Sequence, residues 1–203
     1  MNKTIIGIIL SLITQILIKR DMNTLIFLMY SFSIIEILDI YFNNITQIKK
    51  KRHHFSFILG IIIILLVNNY SYHNYISTID FSNIIKLCSI GDSMQQIVGK
   101  LFGKHKIGWI SPNKTFEGYF GGYFLLLIIN KILLKKYFMS NKYITGIYAF
   151  SIIGDLFFSY LKRIINIKDW STMLQSHGGF LDRLNSIYMA IFSKIIAKLF
   201  ISK

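Results

Sequence analysis

Apolar residues form long, nearly continuous runs that recur along the whole chain. Within each run the apolar positions do not alternate with polar ones, which argues against barrel strands. A backbone in hydrocarbon must pair its own N–H and C=O groups, so we expect these runs to form membrane helices. A span takes about 20 residues, and with their flanks the runs predict about six to seven spans. The runs are Ile5–Ile18, Thr24–Phe42, Phe55–Val67, Ile76–Val98, Phe116–Leu134, Tyr143–Ile165 and Ile187–Ile201.

The composition agrees with this pattern. Of the 203 residues, 53% are hydrophobic and 16% are charged, whereas a soluble domain carries about 25% charged residues. We therefore predict an all-α polytopic membrane protein with one membrane domain over residues 1–203. Residues 1–90 supply N-terminal spans, and residues 91–203 carry the candidate chemistry. The first run is followed by Lys19-Arg20-Asp21 and no small-residue cleavage site, which predicts a retained span or anchor.

The chain is strongly basic, with a formal net charge of +14. In a seven-span topology, loops 43–54, 99–115 and 166–186 share one face with the N-terminus. That face and its flanks carry 13 of the 23 Lys and Arg residues, against nine on the other face. The positive-inside rule then predicts an integral membrane protein whose polar site faces the cytoplasm. The basic residues lie between spans, so we expect membrane lipids and a phosphate-bearing substrate as partners, and no nucleic acid.

One predicted span carries a polar stripe. Asp155, Ser159, Lys162 and Arg163 are spaced i, i+4, i+7 and i+8, which places them on one face of a helix. An ionised carboxylate inside a membrane helix costs about 2.5–3.5 kcal/mol, so it must be paired, hydrated or bound to a metal. A structural ion pair of Asp155 with Lys162 or with a neighbouring span is the alternative to a functional site.

The loop after this span is rich in groups that bind phosphate. Paired glycines let the backbone approach an anion, and successive N–H groups there can form an anion-binding concavity. Asp155 and Asp182 lie on different predicted helices, where they can converge as oxygen ligands of Mg²⁺. The residues concerned are Lys168-Asp169, His177-Gly178-Gly179 and Asp182-Arg183.

A second polar constellation lies between Gly91 and Gly122. Asp92, Gln96 and Gly99 form a stripe on a predicted span, and a turn through Ser111-Pro112-Asn113-Lys114-Thr115 leads into a new helix. Helix N-termini favour anions, and Lys114 adds positive charge at that end. The glycines at 118, 121 and 122 are interpreted as close-packing positions rather than chemical ones.

The polar pattern resembles the signature of the phosphatidate cytidylyltransferase (CDP-diacylglycerol synthase) family. That signature runs Ser, two residues, Lys-Arg, four residues, Lys-Asp, then His-Gly-Gly, two residues, Asp-Arg, one residue, Asp. The segments "VGKLFGKHK" and "SPNKTFEGYFGG" also resemble the family's second conserved region. Two positions depart from the signature: its last aspartate is Asn185 here, and Gln175 replaces a small residue or proline. The matching residues are Ser159, Lys162-Arg163, Lys168-Asp169, His177-Gly178-Gly179 and Asp182-Arg183.

The resemblance implies transfer of CMP from CTP to phosphatidic acid. It further implies that Asp155 and Asp182 are catalytic and hold Mg²⁺ and a second cation. Lys168 and Asp169 would also be catalytic. The resemblance is compatible with a homodimer. Two groups of residues would then contact the phosphates of CTP and of the lipid. One comprises Ser159, Lys162, Arg163, His177, Gly178, Gly179 and Arg183, and the other Asp92, Ser111, Lys114 and Thr115.

Three alternatives stay open at this point. A CTP-dependent polyprenol kinase would release CDP rather than pyrophosphate, but the order of the signature residues favours the cytidylyltransferase. An ion transporter would use intramembrane carboxylates, and repeats broken by Gly or Pro would support it; no such repeat is visible. A scaffold without activity is compatible with Asn185.

Overall fold

The computed structural model describes four long helices in the C-terminal part of the chain. They are α1 (Thr78–Phe102), α2 (Phe116–Ile132), α3 (Asn141–Ile164) and α4 (Phe180–Ile201). In the described part of the chain, regular structure is otherwise limited to short helical stretches before residue 67 and one bridge, Lys106–Thr115. The described residues are 24, 27, 31, 34–35, 59–63, 66, 78–132, 139–164, 166–170 and 180–201.

The all-helical prediction is confirmed for these residues. One described helix, α3, is long and apolar enough to cross a membrane, with 24 residues and a mean hydropathy of 1.5. The predicted runs Ile5–Ile18, Thr24–Phe42 and Phe55–Val67 lie wholly or mostly outside the described residues. The number of six to seven spans therefore stays a prediction.

Helix ends follow from local hydrogen bonding. Thr115 precedes α2, and its hydroxyl accepts the Gly118 N–H at 3.1 Å, as an N-cap side chain does. Ser140 caps α3 in the same way, accepting the Tyr143 N–H at 3.3 Å. Beyond the end of α3, Asn166 adopts φ 60, a left-handed conformation that Asn tolerates at helix C-termini.

The described helices belong to two compact units. One comprises residues 1–82 and 161–184, and the other residues 83–160 and 185–203, so the boundaries fall within α1, α3 and α4. The prediction of a single domain over 1–203 stays a prediction.

In the unit of residues 83–160 and 185–203, glycines let helices approach closely. A Cβ at Gly118 would lie 2.8 Å from the Gln95 carbonyl oxygen and 3.2 Å from the Gly99 Cα. A Cβ at Gly122 would meet the Gln95 backbone nitrogen at 2.9 Å, and one at Gly154 would meet the Asn185 carbonyl oxygen at 2.9 Å. The interpretation of Gly118, Gly121 and Gly122 as packing positions is confirmed, since all three contact α1.

This packing makes Gly118 and Gly146 a matched pair of helical glycines. We expect Gly118→Ala to destabilise the protein by about 1–3 kcal/mol, because rigid backbone atoms stand where the methyl group would go. A Cβ at Gly146 would meet nothing within 4 Å, so Gly146→Ala should be neutral or stabilise by up to about 1 kcal/mol. Unfolding of the two variants in one detergent measures the difference. Equal stability would contradict the close approach of α2 to α1.

Candidate active site

The loop between α1 and α2 is fixed by one carboxylate. Glu117 accepts the backbone N–H groups of Lys104 at 3.1 Å and His105 at 3.1 Å, and the His105 Nδ1 lies 2.5 Å from its Oε1. Two backbone bonds close the loop on itself: the Ile107 N–H donates to the Lys114 carbonyl, and the Phe116 N–H donates to that of His105. The loop is therefore a short antiparallel ribbon that holds Lys114 at the start of α2.

These donors change the acidity of Glu117. This residue lies in the first turn of α2, whereas α3 is the one described helix that is long and apolar enough to cross a membrane. The His105 side chain, followed by the loop N–H groups, lowers the pKa of Glu117 from 4.5 to about 2. The Glu117 side chain is partly exposed, so solvent screens these interactions. The low pKa therefore means that Glu117 keeps its negative charge at low pH, and its contribution to the stability of the fold is small.

Lys114 reaches from this loop to α3. Its Nζ forms an ion pair and hydrogen bond with the Asp155 Oδ2, and the two side chains are only 31% and 22% exposed. The alternative to a functional site was an ion pair of Asp155 with Lys162 or with a neighbouring span, and the partner that the structure shows, Lys114, comes from another element. The pair thus joins one residue from each polar constellation, and these two residues are 41 positions apart in the sequence.

Four further polar residues lie in the same unit. The Ser186 hydroxyl on α4 donates to Asp92 on α1 at 3.3 Å. Asn185 is 2% exposed, and its Oδ1 has no hydrogen-bond partner among the described residues. Tyr119 follows Lys114 by five positions; its ring centre lies 5.7 Å from the lysine Nζ, and both Asp155 and Asp92 act electrostatically on its hydroxyl. Together with Lys114 and Asp155, these residues comprise one cation, two carboxylates and three buried uncharged groups.

In the unit of residues 1–82 and 161–184, Lys162 and Asp182 form a buried pair. The Lys162 Nζ lies 2.5 Å from the Asp182 Oδ1, and the side chains are 9% and 8% exposed. The Trp170 N–H donates to the other carboxylate oxygen at 2.9 Å. Removing one partner of such a pair is costly, because the other charge stays buried and uncompensated.

The remaining predicted residues are placed unevenly. Thr115 is buried as the N-cap of α2, and the Ser111 carbonyl accepts the Lys114 N–H. Lys168 and Asp169 are exposed, whereas Ser159 is half-buried on α3. Arg163 donates to the Ile167 carbonyl at 3.2 Å and helps to close the end of α3. Arg183 lies on α4 with its side chain not described, and His177, Gly178 and Gly179 lie outside the described residues.

Two residues of this region were missed by the sequence reasoning. They are Glu117 and Tyr119, neither of which the sequence patterns described above single out. The order of residues contains a signal for Glu117, since a carboxylate near a helix N-terminus commonly accepts nearby N–H groups. For Tyr119 it contains none, because a tyrosine in an apolar helix ordinarily indicates packing.

The donor chemistry suits a hard cation. Carboxylate and amide oxygens are the ligands that Mg²⁺ takes, and Asn185 offers a buried oxygen without a described partner. On α3, Gly154 adjoins Asp155 and contacts the Asn185 backbone. Among the described residues, no three His, Cys, Asp or Glu side chains form a group able to hold a metal. Asp155 and Asp182 as metal ligands stay a prediction.

Comparison with known proteins establishes the family. The model of the cytidylyltransferase family matches residues 2–200. The chain belongs to this family.

Individual relatives share shorter segments with this chain. A phosphatidate cytidylyltransferase of Staphylococcus aureus (strain COL) is 39% identical over 108 residues, which cover 49% of this chain and 41% of that protein. Proteins of the same name from Aquifex aeolicus and Haemophilus influenzae are 36% and 30% identical. The Aquifex match covers 48% of this chain and 39% of the relative; the Haemophilus match covers 66% and 50%. The matches thus span half or less of each relative.

The acidity of Glu117 can be measured directly, because the chain has only two glutamates, Glu36 and Glu117. With ¹³C-labelled glutamate carboxyl groups, we expect Glu117 to titrate near pH 2, and Glu36→Gln to assign its signal. Because the pKa in the folded protein lies below 4.5, ionised Glu117 stabilises the fold above pH 4.5. This contribution is lost as the pH falls towards about 2. A Glu117 midpoint at or above 4.5 would contradict the described loop.

Proposed function

We propose that this protein transfers CMP from CTP to phosphatidic acid, giving CDP-diacylglycerol and pyrophosphate. Three features support the proposal: family membership, relatives named phosphatidate cytidylyltransferase, and the two polar constellations of the sequence. The observation that carries it is the Lys114–Asp155 pair, which puts one residue of each constellation in direct contact.

The proposed reaction is a single displacement at phosphorus. A phosphate oxygen of phosphatidic acid attacks the α-phosphorus of CTP, and the bond between that phosphorus and the oxygen bridging to the β-phosphate breaks. The bond electrons leave with pyrophosphate, so no covalent enzyme intermediate is required. Positioning of the two phosphates and neutralisation of their charge then supply most of the acceleration.

The lysines are suited to hold anionic substrates. Lys114 is a half-buried cation beside the N-terminus of α2, where both the ammonium group and the helix dipole favour an anion. In our proposal a substrate phosphate takes the place of Asp155 as the partner of Lys114. Lys162, Arg163, Lys168 and Arg183 bind further phosphate oxygens, and Asp169 orients Lys168 or substrate.

Asp155 and Asp182 would hold Mg²⁺ and a second cation. When bound, such cations neutralise charge on the attacking and leaving oxygens. Asn185 has an oxygen but no charge where the family signature has Asp, so the proposed site carries one negative charge fewer.

The proposed site lies on the cytoplasmic side of the membrane, as the distribution of Lys and Arg indicates. The substrates then meet at the membrane edge, since CTP is dissolved in water and phosphatidic acid lies in the bilayer. A homodimer remains part of the proposal and is tested by the mass of the purified protein in detergent.

The reaction is tested with purified protein, phosphatidic acid, Mg²⁺ and CTP labelled in the α-phosphate. We expect the label to enter the lipid, one pyrophosphate to form per labelled lipid, and both products to require Mg²⁺. Release of CDP with phosphorylation of a lipid alcohol would establish a kinase instead. Absence of both products from folded protein would contradict the proposal.

The aspartates provide a sharper test of the same proposal. We expect Asp155→Asn and Asp182→Asn each to lower turnover about 10³-fold or more, because a lost contact to transition-state charge is worth several kcal/mol. Asp80→Asn, at the start of α1, serves as the matched control and should keep near-normal turnover. Well-folded Asp155→Asn and Asp182→Asn proteins with most of their activity would refute the assignment.

A further inference from the structure

The Tyr119 hydroxyl is a buried polar group without a described function. The residue is 9% exposed, and its hydroxyl has no hydrogen-bond partner among the residues that the structure describes. Leaving a buried hydroxyl unpaired costs about 1–3 kcal/mol, so most such groups in proteins are paired. A group of this kind next to a candidate site is an available donor for a ligand.

The rest of the Tyr119 residue is firmly held. Its N–H donates to the Thr115 carbonyl at 3.2 Å, and its carbonyl accepts the Tyr148 hydroxyl at 2.7 Å. The first bond is the normal helical one; the second ties α2 to α3 at this level. These two bonds fix the backbone from which the Tyr119 ring projects.

The surroundings of the ring indicate which ligand it suits. Lys114 lies 5.7 Å from the ring centre, within the range of a cation–π contact. Asp155 and Asp92 both act on the hydroxyl electrostatically, but neither accepts a hydrogen bond from it. A neutral phenol beside a lysine can donate to an anionic oxygen that the lysine also binds.

We propose that Tyr119 is a substrate-binding residue whose hydroxyl donates a hydrogen bond to a phosphate oxygen held by Lys114, while its ring keeps the ammonium group in place. This proposal rests on the proposed function for the identity of the two phosphate compounds, CTP and phosphatidic acid. Both carry the same chemistry, an anionic phosphate oxygen, and the experiment decides which of them contacts Tyr119.

Three variants separate the hydroxyl from the ring. Tyr119→Phe removes only the hydroxyl, and Tyr119→Leu also removes the aromatic face below Lys114. Tyr123→Phe is the matched control, because Tyr123 lies one turn further along α2 and its hydroxyl already pairs with Thr145 at 2.7 Å.

We expect Tyr119→Phe to fold with unchanged or higher thermal stability, because it removes an unpaired buried hydroxyl. Its KM for one phosphate substrate should rise about 10-fold or more, as for a lost hydrogen bond to a charged group. The KM of Tyr119→Leu should rise further, and Tyr123→Phe should match the unaltered protein. A higher KM for CTP assigns the contact to the nucleotide, and a higher KM for phosphatidic acid assigns it to the lipid.

Equilibrium binding keeps this test separate from the test of the activity. CTP binding to detergent-solubilised protein, and binding of the protein to vesicles with and without phosphatidic acid, are measured for the same variants. If the unaltered protein binds but forms no CDP-lipid, the proposed function fails while Tyr119 is still tested. Unchanged affinity of Tyr119→Phe for both compounds would overturn the inference, as would a loss of thermal stability, which would make the hydroxyl structural.

Discussion

The ion pair between Lys114 and Asp155 is the constraint on which the candidate site depends. An aspartate on an apolar helix needs a partner, since its ionised form costs about 2.5–3.5 kcal/mol in a membrane helix. Lys114 meets this need from a loop 41 positions earlier in the chain. In doing so it brings a helix N-terminus, a cation and a carboxylate together. This combination is suited to exchanging one anion, the carboxylate, for another, a phosphate.

Lys114 can serve this purpose because its loop is built on α2. Glu117 accepts hydrogen bonds from the backbone N–H groups of Lys104 and His105. Thr115, the residue after Lys114, caps α2. Gly118 and Gly122 then allow α2 to approach the backbone of α1. These two glycines thus help to position the site by letting α2 pack close to α1, although they take no part in its chemistry. Loop, cap and close packing together hold a flexible lysine side chain near Asp155, so less of its rotamer freedom is lost on binding a phosphate.

Sequence reasoning recovered the helical fold and the family, because continuous apolar runs and a fixed-spacing signature are both local patterns. It also singled out Lys114 and Asp155 separately. It did not predict their pairing, since i, i+7 spacing within one helix made Lys162 the nearer candidate for Asp155. The partner of Lys162 is Asp182, a contact between residues 20 positions apart that helix periodicity does not predict. A similar reason applies to Tyr119. Tertiary contacts decide whether a tyrosine hydroxyl forms a hydrogen bond, and the order of residues carries no signal for it.

The central claim is that Lys114 and Asp155 act as one unit, and a double-mutant cycle tests it most directly. Unfolding in detergent would be measured for Lys114→Met, Asp155→Asn and the double variant. Each single change should destabilise the protein, because it leaves the other side chain without its partner in a partly buried place. The double variant should lose less than the sum of the two, by about 0.5–3 kcal/mol, as for residues in direct contact. Losses that add to within about 0.5 kcal/mol would mean that the two residues do not interact, and would contradict the account.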